Sequence, residues 1–262
     1  MSTYDLLNKD ILARYLPADM LDKVIILQSV DSTQNEAKRL NCKPPYYVVA
    51  EQQTHGRGRY GRKWYSPEGG LWITFVPKLR WGFDRIHLYS FASVLSIYAV
   101  ISEYGISSWI KWPNDIFAND SKLCGILVES EAISSELKRI FLGIGLNVNN
   151  TFEDVGMPYK AVSMSHLLGK KVDRNLLLAK IIISLDRFYR NDDESIFQEY
   201  VKLCGTISKR VKFYVANKTI EGVAIGISST GSLVVSSSTG IHTLAFGDVF
   251  EQELDVMSPD LA

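Results

Sequence analysis

The most informative stretch of this sequence is GRGRYGRKW, which runs from Gly56 to Trp64. β-branched and aromatic runs at Tyr46–Glu51 and Leu71–Leu79 predict a strand on each side of it. Four cationic residues and no acidic one lie between Gln52 and Pro67. Arginine grips carboxylate and phosphate oxygens through paired N–H groups, and glycine lets a backbone approach a ligand. The stretch therefore predicts an anion-binding loop between two strands, and a solvated basic turn is the alternative.

Two common nucleotide-binding loops do not fit this stretch, although it matches GxGxxG. A dinucleotide fold needs a helix at the last glycine, whereas SPEGG at Ser66–Gly70 breaks a helix. The acidic residue expected roughly 20 positions further on is absent, because Leu79–Gly82 reads LRWG. A Walker A loop needs Lys and then Ser or Thr after its last glycine, but RKW follows Gly61. Trp64 fits either a core position or the wall of a ligand pocket.

The composition predicts a globular chain with a substantial core, since 46% of its 262 residues are hydrophobic and 22% are charged. The 29 basic and 29 acidic residues balance, so no overall field attracts nucleic acid or an anionic membrane. The apolar stretch Leu88–Ile101 is too short to span a bilayer. Met1–Asp10 has no secretory signal, and Cys42, Cys124 and Cys204 form no CxxC pair. We expect neither a disulfide framework nor a zinc site, and a cytoplasmic protein.

Periodicity predicts both helices and strands in the larger, N-terminal part of the chain. Further strands are predicted at Leu123–Ser130 and Arg139–Val148, and helices at Asp84–Tyr104, Asn175–Tyr189 and Glu194–Leu203. Another helix should begin near Thr33, because Thr33 and Glu36 have the spacing of a capping box.

The character of the sequence changes near Gly205, after which only short strand-like runs follow. These runs are Arg210–Val215, Thr219–Ile227, Ser232–Ser236 and His242–Phe246. They predict a small antiparallel β-barrel and a division of the chain into residues 1–203 and 204–262. At the other end, about 25 residues precede the first strand, too few for a helix-turn-helix domain, so no DNA binding is expected.

A second unusual stretch is KWPNDI, from Lys111 to Ile116. Pro113 should end a strand and leave Asn114 and Asp115 at its mouth, where they could hold a metal-bound triphosphate or meet an incoming amine. Lys122 then opens the next strand across a hairpin. Ordinary turn chemistry explains each feature alone, but their occurrence together with the basic loop favours a functional site.

Taken together, these motifs resemble those of the biotin protein ligases. The matching segments are Asp31–Thr33, Glu51–Gln53, Gly56–Arg59, Gly61–Arg62 with Trp64, Lys111–Asp115, Lys122 with Gly125–Glu129, and Gly143–Asn149. They occur in the family's order over about Val24–Asn150, and the segment after Gly205 looks like the family's C-terminal barrel. Two departures are mild: Tyr60 stands where some members have arginine, and Gln34 follows Thr33 where Asn is frequent.

The resemblance implies an α+β fold. Its mixed sheet is flanked by helices, as in class II aminoacyl-tRNA synthetases and biotin ligases. The implied enzyme activates biotin with Mg-ATP to biotinyl-5'-AMP and pyrophosphate, then transfers biotin to a lysine of a biotin carboxyl carrier domain of an acyl-CoA carboxylase. Homodimers are common in the family. A lipoate or octanoate ligase of the same fold is the alternative enzyme.

The resemblance also implies roles for individual residues. The catalytic residues would be Arg57, Lys122 and Asp115. Biotin would contact Ser32, Thr33, Gln53, Gly56, Arg57, Arg59, Lys122, Gly125, Gly143 and Gly145. ATP or the adenylate would contact Arg57, Arg59, Arg62, Trp64, Asn114, Lys122 and Asn147, with Asn114 also meeting Mg²⁺. From the residues alone, Ser32 and Thr33 could equally cap a helix, and the glycines could mark bulges or tight packing.

A binding protein that uses the C-terminal barrel and the basic loop to hold nucleic acid is the competing class. The zero net charge argues against it, as does the lack of a basic strand face studded with aromatic residues.

Overall fold

The computed structural model describes residues 6–152, 160–215, 218–245 and 250–251. The strands are β1 Val24–Val30, β2 Tyr46–Gln53, β3 Leu71–Val76, β4 Trp109–Lys111, β5 Asp115–Ala118, β6 Ser121–Ile133, β7 Glu136–Leu146, β8 Arg210–Val215, β9 Lys218–Ile227, β10 Leu233–Ser237, β11 Gly240–Leu244 and β12 Phe250–Glu251. The helices are α1 Lys9–Leu12, α2 Ala18–Leu21, α3 Thr33–Leu40, α4 His87–Glu103, α5 Met164–Leu168, α6 Arg174–Phe188 and α7 Asp193–Leu203.

The main sheet has seven strands in the order β1-β2-β3-β7-β6-β5-β4. β1 and β2 are parallel, and the other neighbours are antiparallel, so the sheet is mixed as expected. α3 covers one face, where Ala37 packs with Val48 and Phe141. The opposite face packs against α4 through residues such as Leu142 and Ile144.

Helix α4 forms the centre of the core, because its sequence is apolar nearly all round and most of its residues are buried. It packs against α6 and α7. The sequence predicts its start at Asp84, but a short 3₁₀ turn at Phe83–Arg85 delays the α-helix to His87. Gly105, with φ of 75°, follows its end as expected. Among the described residues, no helix is long and apolar enough to cross a membrane.

The C-terminal strands form a separate five-stranded antiparallel sheet in the order β11-β10-β9-β8-β12. Turns at Gly231 and Gly240, with positive φ values of 80° and 119°, lie just before β10 and at the start of β11 and need a residue without a side chain. Phe246, at the end of the last predicted strand, lies outside the described residues. Closure of this sheet into a barrel stays a prediction.

A buried ion pair holds the sheet to α6. The Arg174 guanidinium donates from Nη1 to Glu51 Oε2 at 2.8 Å and to the Gly70 carbonyl at 3.0 Å. The other Glu51 oxygen accepts a hydrogen bond from the Leu7 amide at 2.6 Å. Both charged side chains are 3% exposed or less. The pair fixes the end of β2 two residues before Gln53.

Candidate active site

One cavity of about 570 Å³ lies on the α3 face of the main sheet. It collects residues from the start of α3, the end of β2, the loop after β2, the β4–β5 turn and strands β6 and β7. The predicted site residues that line it are Ser32, Thr33, Gln53, Arg57, Arg59, Arg62, Trp64, Asn114, Asp115, Lys122, Gly125, Gly143 and Gly145. Residues from both unusual stretches of the sequence therefore meet in one place.

Strand register explains the shape of this cavity. Gly145 of β7 pairs with Gly125 of β6, which in turn pairs with Asp115 of β5. A Cβ at Gly145 would lie 2.4 Å from Nε1 of Trp64, and one at Gly125 would lie 3.0 Å from Cζ3 of the same ring. The two glycines thus form a trough without side chains in which the Trp64 indole lies. Trp64 Nε1 is buried and has no hydrogen-bond partner among the residues that the structure describes.

The inner end of the cavity is polar. Gln53 Oε1 accepts hydrogen bonds from the Thr33 amide at 2.8 Å and from the Thr33 hydroxyl at 3.1 Å. The Thr74 hydroxyl donates to Thr33 Oγ1 at 2.8 Å, and Gln53 Nε2 donates to Ser66 Oγ at 2.8 Å. Ser32 occupies the N-cap position of α3, yet its side chain makes no capping hydrogen bond in the described structure. The capping-box spacing thus predicts the helix start correctly. The Thr33 hydroxyl, however, donates to Gln53 Oε1 in the cavity and does not cap the helix.

Several residues that sequence reasoning gave no individual role also line the cavity, among them Gln34, Lys63, Ile73, Lys111, Trp112 and Phe117. Gln34 is 3% exposed, and its Nε2 donates to the carbonyls of Leu127 at 3.1 Å and Phe141 at 3.3 Å. Only its position after Ser32 and Thr33 could have pointed to it.

The basic loop brings its cations to the mouth of the cavity. Arg57 Nη2 lies 3.2 Å from Glu129 Oε2, which also accepts a hydrogen bond from Lys38 Nζ at 2.9 Å. Arg59 Nη1 donates to Asn114 Oδ1 at 3.4 Å, so the loop touches the β4–β5 turn. Arg57 and Arg59 therefore face the cavity with polar partners that an incoming anion could replace.

Lys122 and Asp115 form the most compact charged pair in the cavity. Lys122 Nζ lies 2.6 Å from Asp115 Oδ2 and 5.1 Å from the centre of the Trp64 ring. Their side chains are 17% and 22% exposed, so both remain accessible to a ligand. Cys124 follows on the same strand, but burial raises the pKa of its thiol and keeps it protonated.

The β4–β5 turn is held from behind by the C-terminal part of the chain. The Trp112 amide donates to Thr206 Oγ1 at 3.0 Å, and the Trp112 indole donates to the Gly231 carbonyl at 3.0 Å. The Tyr200 hydroxyl donates to the Pro113 carbonyl at 2.9 Å. These hydrogen bonds fix the backbone from which Asn114 and Asp115 project.

Two predicted ligand contacts, Gly56 and Asn147, do not line the cavity. Asn147 is 3% exposed, and its carboxamide bonds to the Lys122 carbonyl and to the Asn150 side chain. A Cβ at Gly56 would lie 2.4 Å from the Trp64 carbonyl, so this glycine allows the loop to close. Both residues support the cavity wall from behind, and their contacts with ligand stay predictions.

Metal ligands are sparse around the cavity. The described residues contain no cluster of three or more His, Cys, Asp or Glu side chains that could hold a metal ion. The predicted metal contact, Asn114, uses its amide group to donate to the Ile126 carbonyl. Its Oδ1 lies towards Arg59. A cation here would therefore arrive with an anionic substrate that supplies most of its ligands.

Two family models match the chain in the order expected from its motifs. Residues 26–147 match the biotin/lipoate A/B protein ligase family, and residues 206–250 match the biotin protein ligase C-terminal domain. The first match contains both unusual stretches, and the second covers most of the small sheet.

Named relatives and solved structures agree with these matches. The chain is 31% identical over 235 residues to the bifunctional ligase/repressor BirA of Bacillus subtilis, covering 86% of this chain and 71% of that protein. It is 29% identical over 214 residues to the biotin–[acetyl-CoA-carboxylase] ligase of Mycobacterium tuberculosis, covering 77% of each. The biotin protein ligase of Aquifex aeolicus in complex with biotin and ATP superposes with a TM-score of 0.74, 29% identity and coverage of 88% and 98%. The chain belongs to the biotin/lipoate A/B protein ligase family and, within it, to the biotin protein ligases.

Proposed function

We propose that this protein activates biotin with ATP to biotinyl-5'-AMP and then transfers the biotinyl group to a specific lysine of a biotin carboxyl carrier domain. One observation carries the proposal. A single cavity joins an inner end of amide and hydroxyl groups to a mouth that holds Arg57, Lys122 and Asp115. A urea ring suits the inner end, apolar walls suit the bicycle and valeryl chain, and the cations suit a carboxylate beside a phosphate.

In the first step the biotin carboxylate attacks the α-phosphate of ATP, and pyrophosphate leaves. Two anions must approach each other, so cations that surround both lower the barrier. Arg57 and Lys122 are the groups we assign to this work, with Arg59 and Arg62 on the remaining phosphate oxygens. Lys122 would exchange its contact with Asp115 for the developing charge between carboxylate and phosphate.

Trp64 and its trough would hold the nucleotide part of the adenylate. The indole N–H is buried against Gly145 of β7, so the ring surface is the part of Trp64 that is offered to the ligand. The indole face would cover the adenine. Asn147 would act indirectly, by fixing the Lys122 backbone through its hydrogen bond to that carbonyl.

Magnesium enters this scheme as part of the Mg-ATP substrate. The protein offers it the Asn114 carboxamide oxygen and few other ligands among the described residues, which fits an ion held mainly by phosphates and water. Asn114 would orient the phosphates through Arg59, with which it already shares a hydrogen bond.

In the second step the carrier lysine must reach the acyl carbon with its amine neutral. Asp115 faces the cavity and is released from ion pairing once Lys122 turns to the adenylate. It would then accept a hydrogen bond from the amine and take its proton as the amine nitrogen bonds to the acyl carbon. The acyl–phosphate bond breaks in this step, and AMP leaves with its electron pair.

The larger assignments follow from the same family. We propose residues 1–203 as a catalytic domain related in fold to class II aminoacyl-tRNA synthetases, and residues 204–262 as a small barrel that braces the β4–β5 turn through Thr206 and Gly231. The partner is a carrier domain of an acyl-CoA carboxylase in the cytoplasm, and a homodimer is the assembly that the family resemblance implies.

The decisive experiment measures pyrophosphate release from Mg-ATP with purified protein and no carrier, comparing biotin, lipoate, octanoate and no acid. A burst close to one equivalent per active site with biotin alone is the expected result. A burst with lipoate or octanoate but not with biotin would show that one of these acids, and not biotin, is the substrate. Release that is independent of any acid would contradict acid activation altogether.

A further inference from the structure

The tip of the basic loop is a tight turn that contains an unfavourable residue. The Arg62 amide donates to the Arg59 carbonyl at 3.2 Å, and the two residues between them, Tyr60 and Gly61, have positive φ values of 57° and 72°. Turns of this kind favour Asn followed by Gly, because a bulky side chain raises the energy of the left-handed backbone. Gly61 fits this pattern and Tyr60 does not. Some other interaction of Tyr60 must therefore offset the strain.

The Tyr60 side chain makes its contacts with two arginines. It is 61% exposed, so burial in an apolar core does not explain its presence. The Cζ atoms of Arg59 and Arg62 lie 5.1 Å and 5.6 Å from the centre of its ring, and Arg59 Nη2 donates to its hydroxyl at 3.1 Å. The electron-rich face of an aromatic ring attracts a guanidinium group. One exposed ring thus holds two like charges on opposite sides of it in the sequence.

These contacts fix the direction in which Arg59 points. Its Nη2 is bonded to the Tyr60 hydroxyl, and its Nη1 donates to Asn114 Oδ1 on the other wall of the cavity at 3.4 Å. Because the guanidinium group is planar and rigid, these two bonds set its orientation. Arg59 and Arg62 both line the cavity, whereas Tyr60 is not among the described residues that do so. The tyrosine therefore supports the two cations from outside the cavity.

We propose that Tyr60 is a positioning residue whose ring keeps the Arg59 and Arg62 guanidinium groups together at the cavity mouth, ready for the phosphates of ATP. The inference rests on the proposed function, in which these two arginines bind phosphate oxygens. Without the ring, the two cations would repel each other, and substrate binding would have to order two long side chains. Contact with one aromatic ring reduces both costs before the substrate arrives.

The first test separates the ring of Tyr60 from its backbone. Tyr60→Asn removes the ring but gives the turn its preferred residue, whereas Tyr60→Phe keeps the ring and the strain. The pyrophosphate burst is followed with biotin at varied Mg-ATP. For Tyr60→Asn the half-saturating Mg-ATP concentration should rise about 5- to 30-fold, as expected for two lost cation–π contacts, and for Tyr60→Phe about threefold or less. The half-saturating biotin concentration and the rate at saturating Mg-ATP should stay within about twofold in both variants.

Tyr65→Asn is the matched control, because Tyr65 is an exposed tyrosine of the neighbouring chain segment that does not line the cavity. It should behave like the wild type. If Tyr60 acted only through the backbone of the turn, Tyr60→Asn would equal or exceed the wild type, and this result would overturn the proposal. Equal losses in Tyr60→Asn and Tyr60→Phe, or equal changes for biotin and Mg-ATP, would also contradict it.

A second test requires no chemical step. Binding of magnesium pyrophosphate is measured by calorimetry with the wild type, Tyr60→Phe and Tyr60→Asn. The first two should bind alike, and Tyr60→Asn should bind about fivefold or more weakly. Equal affinities in all three proteins, or no binding to the wild type, would refute the role of Tyr60. A wild type without a biotin-dependent burst would contradict the proposed function, while the expected order of pyrophosphate affinities would still support the role of Tyr60.

Discussion

The two walls of the cavity are built in opposite ways. The basic loop, Gly56–Trp64, closes on itself through hydrogen bonds from the Gly58 amide to the Arg62 carbonyl at 2.7 Å and from the Trp64 amide to the Gly56 carbonyl at 2.9 Å. The β4–β5 turn around Trp112 is instead bonded to distant parts of the chain, at Thr206 and Gly231. One wall is a self-contained hairpin, and the other is braced by the C-terminal sheet.

The difference matches what each wall must do in the proposed reaction. The loop faces charges that change, first a carboxylate and a triphosphate and then an adenylate. Its tip suits this task, since Tyr60 is 61% exposed and a Cβ at Gly61 would meet nothing within 4 Å. The turn holds Asp115, whose position relative to the acyl carbon decides transfer and must stay fixed.

Lys122 touches both walls, so its removal should have the largest effect. Lys122→Met should reduce single-turnover pyrophosphate release about 100-fold or more, because the cation between two reacting anions is lost. Rapid-quench measurement of the first turnover checks this. Lys138→Met, which removes an exposed lysine of β7, is the control. A loss of less than about threefold would mean that Lys122 has no part in adenylation.

Asp115→Asn should separate the two half-reactions. Transfer to the carrier should fall about 100-fold, because the amide cannot take the proton of the lysine amine, while the pyrophosphate burst stays within about threefold. The two rates are measured on the same preparation, with preformed adenylate for the second. Equal losses in both would contradict the assignment of Asp115 to the acceptor.

Arg57→Ala tests the wall formed by the basic loop. The adenylate should escape about tenfold faster, since an arginine that grips its oxygens is missing. The melting temperature should stay unchanged, because the Arg57–Glu129 pair is partly exposed and contributes little to stability. A filter assay of retained adenylate checks the escape rate. Lys38→Ala is the matched control, since Lys38 binds the same Glu129 oxygen but does not line the cavity.

Thr206→Val tests the wall formed by the β4–β5 turn and has the smallest expected effect. The Trp112 amide loses its acceptor in a buried position, which should lower the free energy of unfolding by about 1–3 kcal/mol. Thermal denaturation should show this as a shift of about 2–4 °C per kcal/mol. Thr243→Val, on the exposed side of β11, should change neither. No shift in Thr206→Val would show that the hydrogen bond does not brace the turn.

Sequence reasoning succeeded where the site is local in the chain. The basic loop and the KWPNDI stretch are each continuous in the sequence, so their glycines, cations and proline predict the local backbone geometry. Lys122 and Gly125 follow within one hairpin of Asp115. Most of the site residues predicted in these segments line the cavity, and their individual roles remain predictions.

The parts that were missed depend on contacts between distant segments. Gln34 lines the cavity only because β6 and β7 bring Leu127 and Phe141 carbonyls within reach of α3. Thr33 has the sequence of a helix cap, but Gln53 competes for its hydroxyl. The Asn147 carboxamide donates to the Lys122 carbonyl, 25 residues earlier in the chain, and its contact with ligand stays a prediction. Each case depends on which distant segments the fold brings into contact, and a single sequence does not specify those contacts.

The buried Glu51–Arg174 pair affects the order in which parts of the chain can fold during synthesis. Its partners are 123 residues apart, and Glu51 also takes a hydrogen bond from the Leu7 amide, 44 residues before it. A buried carboxylate without its partner is strongly destabilising. On the ribosome, β2 can pair with β1 early. The Glu51 carboxylate, however, stays without its ion-pair partner until Arg174 of α6 has been synthesised. We therefore expect the cavity to reach its final shape only after most of the chain has been synthesised.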